Sequence, residues 1–228
     1  MTAPSKSIAC VIYDMDGLLL DTESFYTRVS QIIAARYGKV YDWSLKSRMM
    51  GQRAADSAKL FTESLNLPMT PDEYLAARTP MLEELFPQAE PMPGAVRLTR
   101  HLHRHGVPQA VATSSNRRHF ELKASRHRSW FSVFDCVVIG DDPAVRRGKP
   151  APDMFLLAAE RIGTPPAACL VFEDALVGVE AACAAGMPVI AVPAPQLSPA
   201  LFGAADQVLR SLDEFDPAAW GLPQMEPE

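Results

Sequence analysis

The sequence is short of several things that would direct it elsewhere. Its four cysteines, Cys10, Cys136, Cys169 and Cys183, form no CxxC pair. Neither a zinc cluster nor a disulfide scaffold is expected, and the thiols read as reduced. No apolar run approaches the length of a membrane span, and residues 1–6 lead into no signal-like apolar stretch. A cytoplasmic protein with no membrane partner is expected. Positive charge is not in excess, since the net charge is −5. An acidic field serves neither nucleic acid nor an anionic bilayer, so no nucleic-acid partner is expected. Internal repeats and low-complexity tracts are also missing. What remains is a chain of 228 residues, 48% hydrophobic, long enough for one large domain or for a core with an inserted module.

The chain is organised around residues 8–17. An apolar, β-branched run over residues 8–13 stops at Asp14-Met15-Asp16-Gly17. The run reads as a strand buried on both faces. Two carboxylates at its end are costly unless a cation compensates them. Side chains at i and i+2 leave a strand on the same side, so Asp14 and Asp16 can face one point. A metal-assisted acid site at the end of a central strand is one reading; a turn at Asp16-Gly17 with Asp14 capping a helix is the other.

Beyond Gly17 the pattern is helical for some seventy residues. Asp21 or Thr22 can cap a helix running to Tyr37, and helices are expected over 44–50, 54–65 and 71–86. Pro80 implies a kink or break in the last of these. So much helix between two strands points to an inserted module, residues 18–90, joined through 18–20 and 91–94. From Gly94 onward, strands at 109–112, 136–139, 169–172 and 188–192 alternate with helices, with an edge strand at 207–209. That rhythm predicts an α/β fold: a Rossmann-like, doubly wound parallel sheet built from residues 1–17 and 91–228, carrying residues 18–90 as a helical insert.

Polar clusters follow the apolar runs: Asp14/Asp16, then Thr113/Ser114/Ser115/Asn116, then Glu173/Asp174, with Lys149 in the loop after the 136–139 strand. Each also has an ordinary reading as a helix cap or a surface charge. Together they occupy the carboxyl edge of one sheet, where α/β proteins bind ligands. The set suits phosphoryl transfer. Mg²⁺ would be held by Asp14, Asp174 and the Asp16 carbonyl. Asp14 would attack phosphorus and Asp16 would serve as general acid and base. Thr113, Ser114 and Lys149 would balance charge on the phosphoryl oxygens, with Asn116 beside them.

These motifs carry a resemblance. Asp14-Met15-Asp16-Gly17 and the residues to Glu23, then Thr113-Ser114-Ser115, Gly148-Lys149-Pro150-Ala151-Pro152-Asp153 and Phe172-Glu173-Asp174-Ala175, resemble the four motifs of the haloacid dehalogenase-like hydrolases in order and spacing. The resemblance implies Asp14 as nucleophile, Asp16 as acid/base, Thr113 and Lys149 as phosphate-side residues, and Asp174 with Glu173 as metal-binding acids. It also implies a phosphatase rather than a dehalogenase, because dehalogenases lack the second Asp. Residues 50–51, 92–95, 125–127, 140–143 and 221–223 further resemble the pseudouridine-5′-phosphatase branch. That implies a small phosphomonoester substrate, pseudouridine 5′-phosphate first, and a place in nucleotide metabolism. A β-phosphoglucomutase-like phosphosugar mutase, or a sugar or glycerol phosphate phosphatase, is the alternative on the same scaffold. The branch tends to carry acidic residues where Ala151 and Ala194 stand, and Lys at positions 52 and 53, so the substrate is less well marked than the reaction.

Arg53, in the insert, is the expected substrate contact, because a guanidinium suits a second anionic or polar group. His101, His103 and His105 resemble a metal tract, yet only His101 and His105 share a helical face and no acid or thiol lies near them. A surface helix end, whose dipole favours cations, is expected there. The Arg pairs at 117–118 and 146–147 read as solvated faces. A monomer or a dimer is expected.

Overall fold

The computed structural model describes residues 8–225; the expectation about residues 1–6 lies outside them. Six strands form one sheet: β1 (Cys10–Tyr13), β2 (Gln109–Ala112), β3 (Cys136–Val138), β4 (Cys169–Glu173), β5 (Val189–Ala191) and β6 (Gln207–Val208). All pairings are parallel, in the order β3-β2-β1-β4-β5-β6. The chain thus winds outward from β1 in both directions. Such a reversal opens a crevice beyond the carboxyl end of β1, where Asp14 follows.

Between β1 and β2 come α1 (Glu23–Ala35), α2 (Trp43–Met49), α3 (Ala54–Ser64) and α4 (Pro71–Leu85). They close over an apolar cluster of their own that includes Val29, Ile33, Leu45, Phe61, Tyr74 and Leu82. Phe61 stacks on Tyr74 with ring centres 4.2 Å apart. The two connections to the sheet run side by side. Leu20 pairs antiparallel with Pro91, the Asp21 N–H donates to the Glu90 carbonyl at 2.9 Å, and the Met92 N–H to that of Leu19 at 2.9 Å.

α4 opens with a capping box between Thr70 and Glu73 and runs through Pro80 without a break. The carbonyl that Pro80 cannot satisfy belongs to Ala76. Both residues are exposed, so water can serve that carbonyl and the expected break does not occur. Two contacts tie the helical insert to the loops and helix after β2. Arg118 grips Glu83 with two bonds, at 2.5 and 2.6 Å, and the Ser114 hydroxyl donates to the Gly51 carbonyl at 2.9 Å. Arg118 is therefore a bridging residue and not merely part of a solvated face.

The sheet is covered on both sides by α5 (Ala95–Arg104), α6 (Arg117–Lys123), α7 (Arg128–Phe131), α8 (Asp153–Ile162) and α9 (Leu176–Ala184). Alternation along the strands sorts the core. Val11, Tyr13, Leu170 and Phe172 face α5 and the aromatic group Trp130, Phe131 and Phe134. Cys10, Ile12, Cys169 and Val171 face α8 and α9. The helix after Asn116 stops at Lys123, and the short α7 follows. His101 also departs from expectation. It is buried, and its Nε2 lies 2.9 Å from the Pro223 carbonyl. It anchors the C-terminal segment instead of facing solvent at a helix end.

Candidate active site

Asp14 is the first residue past β1, and its N–H extends the ladder by donating to the Phe172 carbonyl at 3.0 Å. Its buried carboxylate accepts from Lys149 Nζ at 2.5 Å. Lys149 comes from the loop after β3, packs over the Phe155 ring, and also donates to the Ala112 carbonyl at 3.2 Å and to Glu173. The other Glu173 oxygen accepts the N–H groups of Asp174 and Ala175 at 3.0 and 3.1 Å, which shapes the turn after β4. One oxygen each of Asp14, Glu173 and Asp174 lies within 4.8 Å of the others. Gly17 makes room for this cluster: a Cβ there would stand 2.3 Å from an Asp174 oxygen, and its φ of +84° is itself unsuited to a side chain.

Three carboxylates share one lysine. Burial, opposed by Lys149 and reinforced by Glu173 and Asp16, pushes the Asp14 carboxyl up to about 7. Burial, with Glu173 and Asp14 beside it, raises Asp174 well above the ordinary carboxylate range. Lys149 goes the other way: burial disfavours its charge, but Asp14 and Glu173 outweigh that and raise it. Such a surplus of buried negative charge is what a divalent cation relieves, and an all-oxygen donor set fits a hard one. Glu173 already has both oxygens engaged, so Asp14 and Asp174 are the carboxylates with capacity to spare.

Asp16 is turned to a different company. One oxygen accepts from the Thr22 hydroxyl at 2.5 Å and from Lys123, the other from the Ser115 hydroxyl at 2.9 Å and, more weakly, from Thr113 at 3.4 Å. Lys123, at the end of α6, is wholly buried and also donates to the Tyr26 and Ser115 hydroxyls at 2.9 and 2.7 Å. Burial alone would raise the Asp16 carboxyl, but Lys123 and the hydroxyls bring it below its ordinary value. Thr22, expected as a helix cap, spends its hydroxyl on Asp16 and makes no cap bond.

A cavity of about 250 Å³ opens above these groups, with Asp14 and Asp16 at its floor and Tyr26, Tyr41, Arg53 and Arg78 from the insert among its walls. The structure thus brings Lys149 into contact with Asp14 and Glu173, places an Asp174 oxygen within 4.8 Å of theirs, and sets Thr113 beside Asp16. Ser114 and Asn116 border the cavity. The Asn116 amide oxygen accepts the His119 N–H at 2.8 Å, so it caps α6. Arg53 lies against Gly148 and donates to the Val145 carbonyl at 3.3 Å.

The family model for haloacid dehalogenase-like hydrolases matches residues 8–186. The chain belongs to that family. Across 231 residues it is 50% identical to (DL)-glycerol-3-phosphatase 2 of Arabidopsis thaliana, covering 99% of this chain and 96% of the relative. It is 46% identical to a Drosophila melanogaster protein named probable pseudouridine-5′-phosphatase, covering 96% of each. A solved HAD family hydrolase of Deinococcus radiodurans, with bound phosphate and sodium, superposes with a TM-score of 0.74 at 27% identity, covering 96% of this chain and 99% of that one. As a haloacid dehalogenase-like hydrolase similar to phosphatases from end to end, the chain is a phosphoric monoester hydrolase.

Two members of the constellation were not anticipated from the sequence of this hydrolase: Lys123 and Arg78. Each is a cation at a position of helical apolar spacing. Lys123 follows Phe120 by three residues, and Arg78 stands in the stripe Tyr74, Arg78, Leu82. A lone charge on such a stripe was the available signal.

Proposed function

We propose that this chain is a Mg²⁺-dependent phosphomonoesterase that works through an aspartyl-phosphate on Asp14, with pseudouridine 5′-phosphate as its substrate. The observation that carries the reading is the division of labour between two aspartates two residues apart. Asp14 lies in the cluster with Lys149 and Asp174, while Asp16 is held apart by Lys123. Asp14, Asp174 and the Asp16 carbonyl would hold the Mg²⁺, with Glu173 supporting them. When bound, the ion supplies charge neutralisation between the carboxylates and the phosphate and polarises the phosphoryl oxygens.

Asp14 attacks phosphorus with the carboxylate oxygen not committed to Lys149. The bond from phosphorus to the leaving oxygen breaks, and Asp16 delivers a proton to that oxygen. The substrate dianion raises the Asp16 carboxyl by like charge and so favours its proton-bearing form. In the second half, Asp16 takes a proton from water as the water oxygen bonds to phosphorus. Phosphate leaves and the Asp14 carboxylate is restored. Lys149, Thr113 and Ser114 lie on the phosphate side of the site, with Asn116 at its rim and Arg53 at its cap. The helices over residues 18–90 act as a cap that limits water and selects the alcohol. Free thiols with no disulfide suit a cytoplasmic setting.

A second reading, glycerol 3-phosphate as substrate, is favoured by the 50% identity to the Arabidopsis enzyme. The test is phosphate release from pseudouridine 5′-phosphate, uridine 5′-phosphate, glycerol 3-phosphate and glucose 1-phosphate, with Mg²⁺ and with chelator. Turnover of pseudouridine 5′-phosphate above the others, lost by at least about 10⁴-fold in Asp14→Asn, supports the first reading. A preference for glycerol 3-phosphate moves the assignment to the second. Isomerised sugar phosphate in place of free phosphate would make the protein a mutase.

A further inference from the structure

Arg78 is a buried cation with no acid or hydrogen-bond acceptor to answer it among the described residues. It projects from α4 and is 5% exposed. Its guanidinium lies 5.1 Å from the ring centre of Tyr74 and 5.7 Å from that of Tyr26. Among the described residues it makes no hydrogen bond and no ion pair, and its Nε is buried without a partner. The other cations on the cavity wall each have a partner for their charged group. Lys46 pairs with Glu23 at 3.4 Å and donates to the Thr27 hydroxyl at 2.6 Å, and Arg53, whose Nε is also buried without a partner, donates through its terminal nitrogen to the Val145 carbonyl at 3.3 Å.

Burying a charge without a partner is costly, and aromatic faces offset only part of that cost. Arg78 borders the cavity, so the missing acceptor can arrive from there. Its place relative to the chemistry is fixed by Tyr26. The Tyr26 hydroxyl accepts from Lys123, which holds Asp16, while the Tyr26 ring neighbours Arg78. Arg78 is therefore one aromatic ring beyond the general acid.

We infer that Arg78 is a specificity-determining residue that donates hydrogen bonds to acceptor oxygens on the leaving alcohol, at the end remote from the phosphate. The inference rests on the phosphomonoesterase reading above and narrows its substrate class to esters that carry such oxygens. A guanidinium presents five donors in a planar fork, suited to a ring carbonyl or to polyol hydroxyls. A site built to donate discriminates against an analogue without the acceptor, because its buried donors then stay unpaired.

The test compares kcat/KM for pseudouridine 5′-phosphate, glycerol 3-phosphate and propyl phosphate, the last having no oxygen beyond the ester. The wild type is expected to prefer one of the oxygen-bearing esters, and which one identifies the source of the acceptor. Arg78→Met should cut kcat/KM for that ester by about 10- to 100-fold, change propyl phosphate by less than about threefold, and leave Tm equal or higher because an unpaired buried charge is gone. Arg78→Lys keeps the charge without the fork and should recover part of the preference. A wild type without preference overturns the inference. So does an equal loss on all three esters in both variants, with or without a lower Tm. If the wild type releases phosphate from none of a broad set of esters, the phosphomonoesterase reading itself has failed, which is a separate result.

Discussion

Lys123, wholly buried, and the half-buried Asp16, 107 residues apart in sequence, form an ion pair in which all three lysine donors are used, on Asp16, Tyr26 and Ser115. The pair joins α6 to the loop after β1, and through Tyr26 it reaches the helical insert. One side chain thereby fixes where the Asp16 carboxylate rests and how α1 of the helical insert meets it.

Removing one partner from such a pair leaves a stranded charge. Lys123→Met is expected to lower unfolding free energy by about 3–5 kcal/mol. The double variant Asp16→Asn/Lys123→Met should lose less than the sum of the single losses, because the stranded charge is absent. Denaturant unfolding of the three variants measures the coupling. Additive losses would mean the two groups do not interact as described.

Metal binding should depend on pH in a stated direction. Asp14 and Asp174 have raised carboxyl values in the folded metal-free protein. The fold then binds protons more tightly than the unfolded chain, so these groups favour it at low pH. That contribution is lost as pH rises from about 4 towards 7 and beyond. A divalent cation needs the ionised carboxylates and cancels their repulsion. The gain in Tm on adding excess Mg²⁺ should therefore be larger at about pH 8 than at about pH 5.5. An equal gain at both would place the ion elsewhere.

Gly51 carries the junction between insert and core. Its φ is +72°, and a Cβ there would stand 2.8 Å from the Val177 side chain and 2.9 Å from that of Ala175. Gly51→Ala should cost more than about 1 kcal/mol of stability. It should also reduce kcat/KM about tenfold or more, since it displaces the loop that meets Ser114 above the site. Unchanged kinetics would show that this junction does not set the cap.

The thiols should separate by burial. Cys183 is exposed, whereas Cys10 and Cys169 are buried side by side on β1 and β4. The neighbouring Cys169 thiol, together with burial, holds Cys10 far above the usual thiol range. A thiol reagent should find Cys183 first in the native protein and all four cysteines in denaturant. Loss of the fast phase in Cys183→Ser checks the assignment.

The residues that sequence reading placed well lie at strand ends. Asp14, Thr113 and Glu173/Asp174 each follow an apolar run, and a parallel sheet brings such ends to one edge whatever the details of packing. Lys123, Thr22 and Arg78 were missed, or given other roles, because their partners are set by how helices dock. Thr22 has a good local alternative as a cap, and only the tertiary position of Asp16 draws its hydroxyl away. Pro80 shows the same limit: its local rule is sound, but solvent at Ala76 removes most of the penalty. His101 was read by its helix position, while the contact that buries it comes from Pro223, at the far end of the chain.

The twin connections at Leu20 and Pro91 have a wider implication. Because the helices leave the sheet and return to it through adjacent, mutually bonded segments, a tight turn could join Leu20 to Pro91 without reaching into either face of the sheet, at the loss of the Thr22 and Tyr26 contacts around Asp16 and Lys123. A scaffold with that property can exchange most of its helical insert while the Asp14 group keeps its partners, which all come from the sheet and its loops.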